Sequence, residues 1–312
     1  MIRTLLLILL LQYCLVRLAS AQDRELLILY PEVANPYRKV YEQIIDGIRT
    51  STKDDLHTLA LAQDHDLDKL RHWLDSKKST ADALVVLGSR ALKAASSLNH
   101  QLPLVAGAVD VLPGKDRIPG VSIRIHPADY LEHLRLLSPD STKVVVFYKV
   151  HDEALIPLIE TEARKRDIAV TLIPVKDVAG AIRNIATVLK DSDPRNTAIW
   201  FTRNVIELNT ELLYPYILEE SWNRHIPVFS AMISHTKRGF LFSLYPDYQG
   251  MGKALRHFIE QQIHKNTVLK TEFCPAVKFA LNIRTVQHLG LTPGDTTLKN
   301  VDLIFPAWQT TD

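Results

Sequence analysis

Short apolar runs alternate with longer amphipathic segments along most of the chain. Leu26-Leu27-Ile28-Leu29-Tyr30 reads as a buried strand, and Val40, Ile44, Ile45 and Ile48 follow it at helical spacing. Leu84-Val85-Val86-Leu87 stops at Gly88-Ser89 before a helical stretch over residues 91–98, and Leu104-Val105-Ala106-Gly107-Ala108 is a further strand. After Ser138-Pro139-Asp140 the pattern restarts, with strands expected at 143–148, 170–173, 198–201 and 228–230. Helices over 154–166, 179–189 and 208–222 lie between them, and Phe240-Leu241-Phe242 precedes a helix over 251–264. Residues 276–283 then show β-like alternation. Wholly apolar strands separated by helices imply parallel sheets covered on both faces. The fold class expected is α/β, with two doubly wound parallel-sheet lobes and an interlobe cleft at the carboxyl ends of the strands.

The first residues bear on the compartment. Met1-Ile2-Arg3 is a short cationic start, residues 5–16 are almost wholly apolar, and Ala19-Ser20-Ala21 supplies small residues for cleavage before Gln22. Residues 1–21 therefore read as a secretory signal peptide, too short for a comfortable membrane span, and the mature protein is expected in the periplasm. A retained anchor or a lipid on Cys14 is the alternative, though Gln12-Tyr13 lacks the small residues that lipidation usually needs. Cleavage removes Arg3 and Arg17 and no acidic residue, which takes the formal charge of +2 to near zero. Such a chain has no general attraction to nucleic acid or anionic membrane. Of the 2 cysteines only Cys274 would remain, so no intramolecular disulfide can form. Stability must come from the core, for which 46% hydrophobic residues are ample.

Motifs for chemistry are absent or incomplete. Asp64-His65-Asp66-Leu67-Asp68 starts like a calcium loop, with Asp75 at the twelfth position. Lys69 stands where the turn needs glycine, and Leu67, Leu70 and Leu74 keep helical spacing, so an acidic helix face is the better reading. His65 and His72 have no cysteine nearby, and zinc is not expected. No phosphate-binding loop, dinucleotide fingerprint, nucleophile elbow or HExxH motif occurs. Gly88-Ser89-Arg90 has no histidine or acid tied to it by any motif and reads as a strand-to-helix turn with a capping serine. The expectation is a protein that is not an enzyme and needs neither cofactor nor metal.

Four stretches carry a family resemblance: Asn35-Pro36-Tyr37, the strand and turn over 83–89, "YPDYQGMG" over 245–252, and "LNIRTVQHLGL" over 281–291. The last resembles the "INLKTAKALGL" close, and the third the "GVDYYELG" segment, of the periplasmic substrate-binding proteins of ABC transporters. The resemblance spans the mature chain and implies a type I periplasmic-binding fold. Its N-terminal lobe would comprise residues 22–140 plus a returning 267–312, and its C-terminal lobe residues 141–266. By matching loops, the first lobe would offer Glu32, Asn35, Tyr37, Ser89, Arg90 and Asp110 to a ligand. The second would offer Tyr148, Thr202, Arg203, Asn204, Tyr245 and Asp247. Two departures bear on ligand class: Thr202-Arg203-Asn204 replaces the family's "TDN", and apolar Ala231-Met232-Ile233 replaces polar residues. The function implied is a monomer that closes on a small, carboxylate-bearing, amino-acid-like solute and delivers it to an ABC permease. The alternative is a periplasmic sensor that docks on a membrane signalling receptor.

Overall fold

Strand β1 (Glu25–Pro31) buries Leu26, Leu27, Ile28 and Leu29 completely, as a strand covered on both faces must. In the computed structural model, which describes residues 24–51, 53–62, 67–113, 118–203, 205–206, 209–264 and 270–306, β1 lies between two parallel neighbours. These are β2 (Asp55–Leu61) and β3 (Ala81–Leu87), and β3 in turn pairs in parallel with β4 (Leu104–Val109). Short strands β5 (Gly120–Ser122) and β11 (Thr271–Glu272) extend the sheet to the order β11-β5-β4-β3-β1-β2. The connecting helices are α1 (Tyr37–Thr50), α2 (Leu67–Lys77) and α3 (Ser89–Ser96). Leu70 and Leu74 of α2 are buried, in keeping with an acidic outer face on an apolar stripe, whereas residues 64–66 lie outside the described part.

A late helix, α9 (Tyr248–Ile263), completes this first unit. It crosses α1 at a contact of glycine on glycine. A methyl group on Gly252 would sit 2.8 Å from the Gly47 Cα and 2.9 Å from the Ile48 amide nitrogen. Gly107 of β4 is likewise covered by Leu255 of α9. The glycines after "YPDYQ" thus let two helix backbones touch.

The second unit is built on a sheet of order β13-β12-β10-β9-β8-β6-β7. β6 (Lys143–Tyr148), β7 (Ala169–Pro174), β8 (Thr197–Phe201), β9 (Val228–Ser230) and β10 (Phe242–Pro246) run parallel. β12 (Val277–Asn282) is antiparallel to β10, and β13 (Leu303–Phe305) closes the edge. Helix α4 (Pro127–Leu137) packs Tyr130, Leu131 and Leu134 into a core with Trp200 and Phe229. A single 3₁₀ turn, Val150–Leu155, leads into α5 (Ile156–Arg164). α6 (Val178–Asp191), α7 (Thr210–Asn223) and α8 (Ile233–Arg238) join the later strands, and α10 (Ile283–His288) and α11 (Asp295–Lys299) follow β12.

The chain divides differently from the expected lobes. Of the described residues, those within 24–110, 118–121 and 248–271 form the first unit, and those within 111–113, 122–247 and 272–306 the second. The tail expected in the first lobe instead lies in the second, because β12 pairs with β10 from Phe242↔Leu281 to Pro246↔Val277. Residues 248–263, expected in the second lobe, belong to the first because only glycines permit the contact with α1. α4, expected in the first lobe, carries the apolar face that fills the second core.

Candidate functional site

In doubly wound sheets, the loops after the parallel strands converge at their carboxyl ends, where side chains need not fill the core. In the second unit these loops enclose a small pocket with about 40 Å³ of free space. Asp152, from the 3₁₀ turn after β6, sits at its base and is only 1% exposed. A buried carboxylate requires partners, and both of its oxygens have one. Arg124 Nη1 donates to Oδ1 at 2.6 Å, and the Thr202 hydroxyl donates to Oδ2 at 2.7 Å.

Arg124 is held from its backbone as well. Its amide donates to Ser122 Oγ at 3.1 Å, and its carbonyl accepts from the Cys274 amide at 2.9 Å. Thr202 follows the last residue of β8, and its amide donates to the Phe147 carbonyl of β6 at 3.0 Å. Arg124, and the threonine that holds the other oxygen of Asp152, are therefore both positioned by backbone hydrogen bonds. One wall is aromatic. Tyr130 and Trp200 approach at 4.8 Å between ring centroids, and Trp200 stacks on Phe229 at 5.7 Å and 22°. Burial pushes the Tyr130 phenol far above its ordinary value, against the opposing charge of Arg203, so it stays neutral and able to donate a hydrogen bond. Arg203 lines the same pocket, half-buried beside apolar Leu155, Leu244 and Pro246.

Of the residues expected in the second lobe, Thr202 and Arg203 meet in this pocket. Tyr148 ends β6 half-buried and away from the pocket lining, and Asn204 lies outside the described residues. Tyr245 falls between the pocket residues Leu244 and Pro246, so strand alternation turns it to the other face. There burial, with Asp302 and Asp247 nearby, pushes its phenol up to about 12. Asp247 is paired with Lys278 at 3.5 Å, and its amide donates to the Ala276 carbonyl at 2.9 Å.

The first-unit residues also lie after strands. Glu32 and Asn35 are exposed between β1 and α1, and Tyr37, the first residue of α1, is 70% exposed. Ser89 is exposed and Arg90 half-buried after β3, beyond Gly88 at φ 83°, and Asp110 is half-buried after β4. Arg90 Nη1 is enclosed without a hydrogen-bond partner among the described residues. Burial raises the Tyr41 phenol, the Arg90 charge opposes that, and Tyr248 adds to it, which gathers these three groups at one place in the unit.

The sequence reading missed Arg124, Asp152, Tyr130 and Trp200. A signal existed for the first: Arg124 interrupts Val121-Ser122-Ile123-Arg124-Ile125, a charge inside an apolar run. Tyr130 and Trp200 read only as members of apolar stripes, and nothing local marks Asp152. Among the described residues there is no group of three or more His, Cys, Asp or Glu placed to hold a metal, and no helix long and apolar enough to cross a membrane.

No protein-family model and no curated protein matches the chain. Solved structures do. The chain is similar to a ligand-free, open substrate-binding protein with adhesive properties from Clostridium difficile, at TM-score 0.67 and 13% identity, covering 90% of this chain and 98% of that one. An ABC domain in complex with L-Trp from Streptococcus pneumonia matches at TM-score 0.56 and 18% identity, covering 91% and 100%. A periplasmic ribose ABC transporter protein from Conexibacter woesei matches at TM-score 0.52 and 13% identity, covering 91% and 99%. Two parallel-dominated α/β sheets with these neighbours give the chain the type I periplasmic-binding-protein fold.

Proposed function

We propose that the protein is a periplasmic solute-binding protein that closes on a small carboxylate-bearing molecule, amino-acid-like, and passes it to an ABC permease. The observation that carries the reading is the convergence of Arg203, the Asp152–Arg124–Thr202 network and the Tyr130–Trp200 wall at the carboxyl ends of the second unit's strands. Arg124 already neutralises Asp152, so Arg203 is the pocket-lining charge with no ion-pair partner among the described residues. A guanidinium receives a carboxylate through two parallel hydrogen bonds, and the aromatic wall suits a flat apolar portion.

Neighbours of this fold bind different solutes: one is in complex with L-Trp, another is named for ribose. The lining favours the acid over the sugar. Sugar hydroxyls need several free polar partners, whereas both Asp152 oxygens are engaged and most of the remaining lining is apolar.

Mass spectrometry of what copurifies with the mature protein tests the reading. A small acid released on denaturation, bound again by the emptied protein and recovered unchanged, is the expected result. Turnover of that molecule, or a neutral sugar in its place, would overturn it.

A further inference from the structure

A second cavity of about 390 Å³ opens in the second unit at the edge where the parallel strands begin, opposite the pocket that holds Arg203. Trp222 at the end of α7 forms part of its wall, with Leu218 beside it. The indole is 39% exposed on one side and stacks on His288 at 3.6 Å and 7° on the other, so it is held flat. Lys237 and Arg238 from α8 and Arg284 from α10 line the same cavity, against a single acid, Glu219. No described carboxylate lies within ion-pair distance of any of the three cations, although many other arginines of the chain, such as Arg38, Arg71 and Arg224, are paired.

The backbone that carries these cations is fixed. Buried Asn282 donates from Nδ2 to the Thr236 carbonyl at 2.8 Å, and the Thr285 hydroxyl donates to the Gly239 carbonyl at 2.8 Å. The Tyr214 hydroxyl donates to the His235 carbonyl at 2.7 Å, and the Arg238 guanidinium lies 5.2 Å from the Tyr214 ring centroid. Three cations without a described ion-pair partner, carried by two helices whose backbones are tied together, around an aromatic-walled cavity within the size range of small-molecule sites, make a preorganised anion receptor.

We infer that this cavity is a second ligand site, for a small organic anion with a flat apolar body. It is independent of the pocket that holds Arg203, and of the reading built on that pocket.

The test is a titration of the mature protein with naphthoate and with neutral naphthamide, followed at the Trp222 indole N–H resonance, which Trp222→Phe assigns. Naphthoate should shift that resonance saturably in the wild type and in Arg203→Ala alike. In a Lys237→Gln, Arg284→Gln double variant the affinity should fall about tenfold or more, as expected for loss of charge-assisted contacts. The neutral amide should bind the wild type about tenfold or more weakly, an arm that needs no substitution. No saturable shift with naphthoate would overturn the inference. So would equal shifts with amide and acid, a double variant that binds like wild type, or loss of the shift in Arg203→Ala.

Discussion

Removing the Asp152 carboxylate would take from buried Arg124 its 2.6 Å ion-pair partner, and from the Thr202 hydroxyl its acceptor. Asp152→Ala should therefore cost about 3–5 kcal/mol of stability, the range for breaking a buried ion pair from one side, measurable by urea unfolding. His235 makes a different prediction. Burial, and then the nearby charge of Arg238, hold its imidazole at about 4, below the ordinary value of 6.5. Between these values the unfolded chain takes up a proton that the folded protein refuses, so stability falls as pH drops from 6.5 toward 4. The full loss amounts to about 3 kcal/mol, and His235→Gln should flatten this part of the stability–pH curve in urea titrations at a series of pH values. Neither residue announces itself in the sequence. Asp152 follows Val150-His151 in an ordinary polar turn, and its importance comes from Arg124, which topology brings alongside. Thr202 and Arg203, by contrast, were picked out by the resemblance to a family turn that follows an apolar strand, and both line the pocket.

Elements were easier to read than their partners. Runs such as Leu84-Val85-Val86-Leu87 are strands with helices after them, and both signals are local. β2 was missed because Asp55–Leu61 mixes polar and apolar residues at a sheet edge and buries only Leu61 fully. β12 was read as a strand, yet alternation says nothing about which sheet receives it, and its pairing with β10 is antiparallel. The glycines of α9 carried more information. Gly252→Ala should force α9 off α1, where the Gly47 Cα lies 2.8 Å from the position of the added methyl. Overpacking of this kind costs about 1–3 kcal/mol, more than alanine regains in helix propensity. Thermal unfolding should show the loss, while Gly294→Ala, where nothing lies within 4 Å of the added methyl, should melt near the wild type.

On the scale of the whole molecule, the α/β alternation and its restart after Ser138-Pro139-Asp140 were enough for the fold class. They could not assign residues 248–271 and 272–312, since the chain changes unit there without a linker-like composition. The solute-binding role proposed for the second unit rests on the placement of Arg203, which has no ion-pair partner among the described residues, in one pocket with an aromatic wall and the Asp152–Arg124 pair. Calorimetry of wild type and Arg203→Ala with the copurified solute tests that claim most directly. The substitution should weaken binding by about 2–4 kcal/mol, the range for losing a desolvated charged contact, with the thermal midpoint of the free protein nearly unchanged. Equal affinity in both proteins would contradict it and leave only the fold.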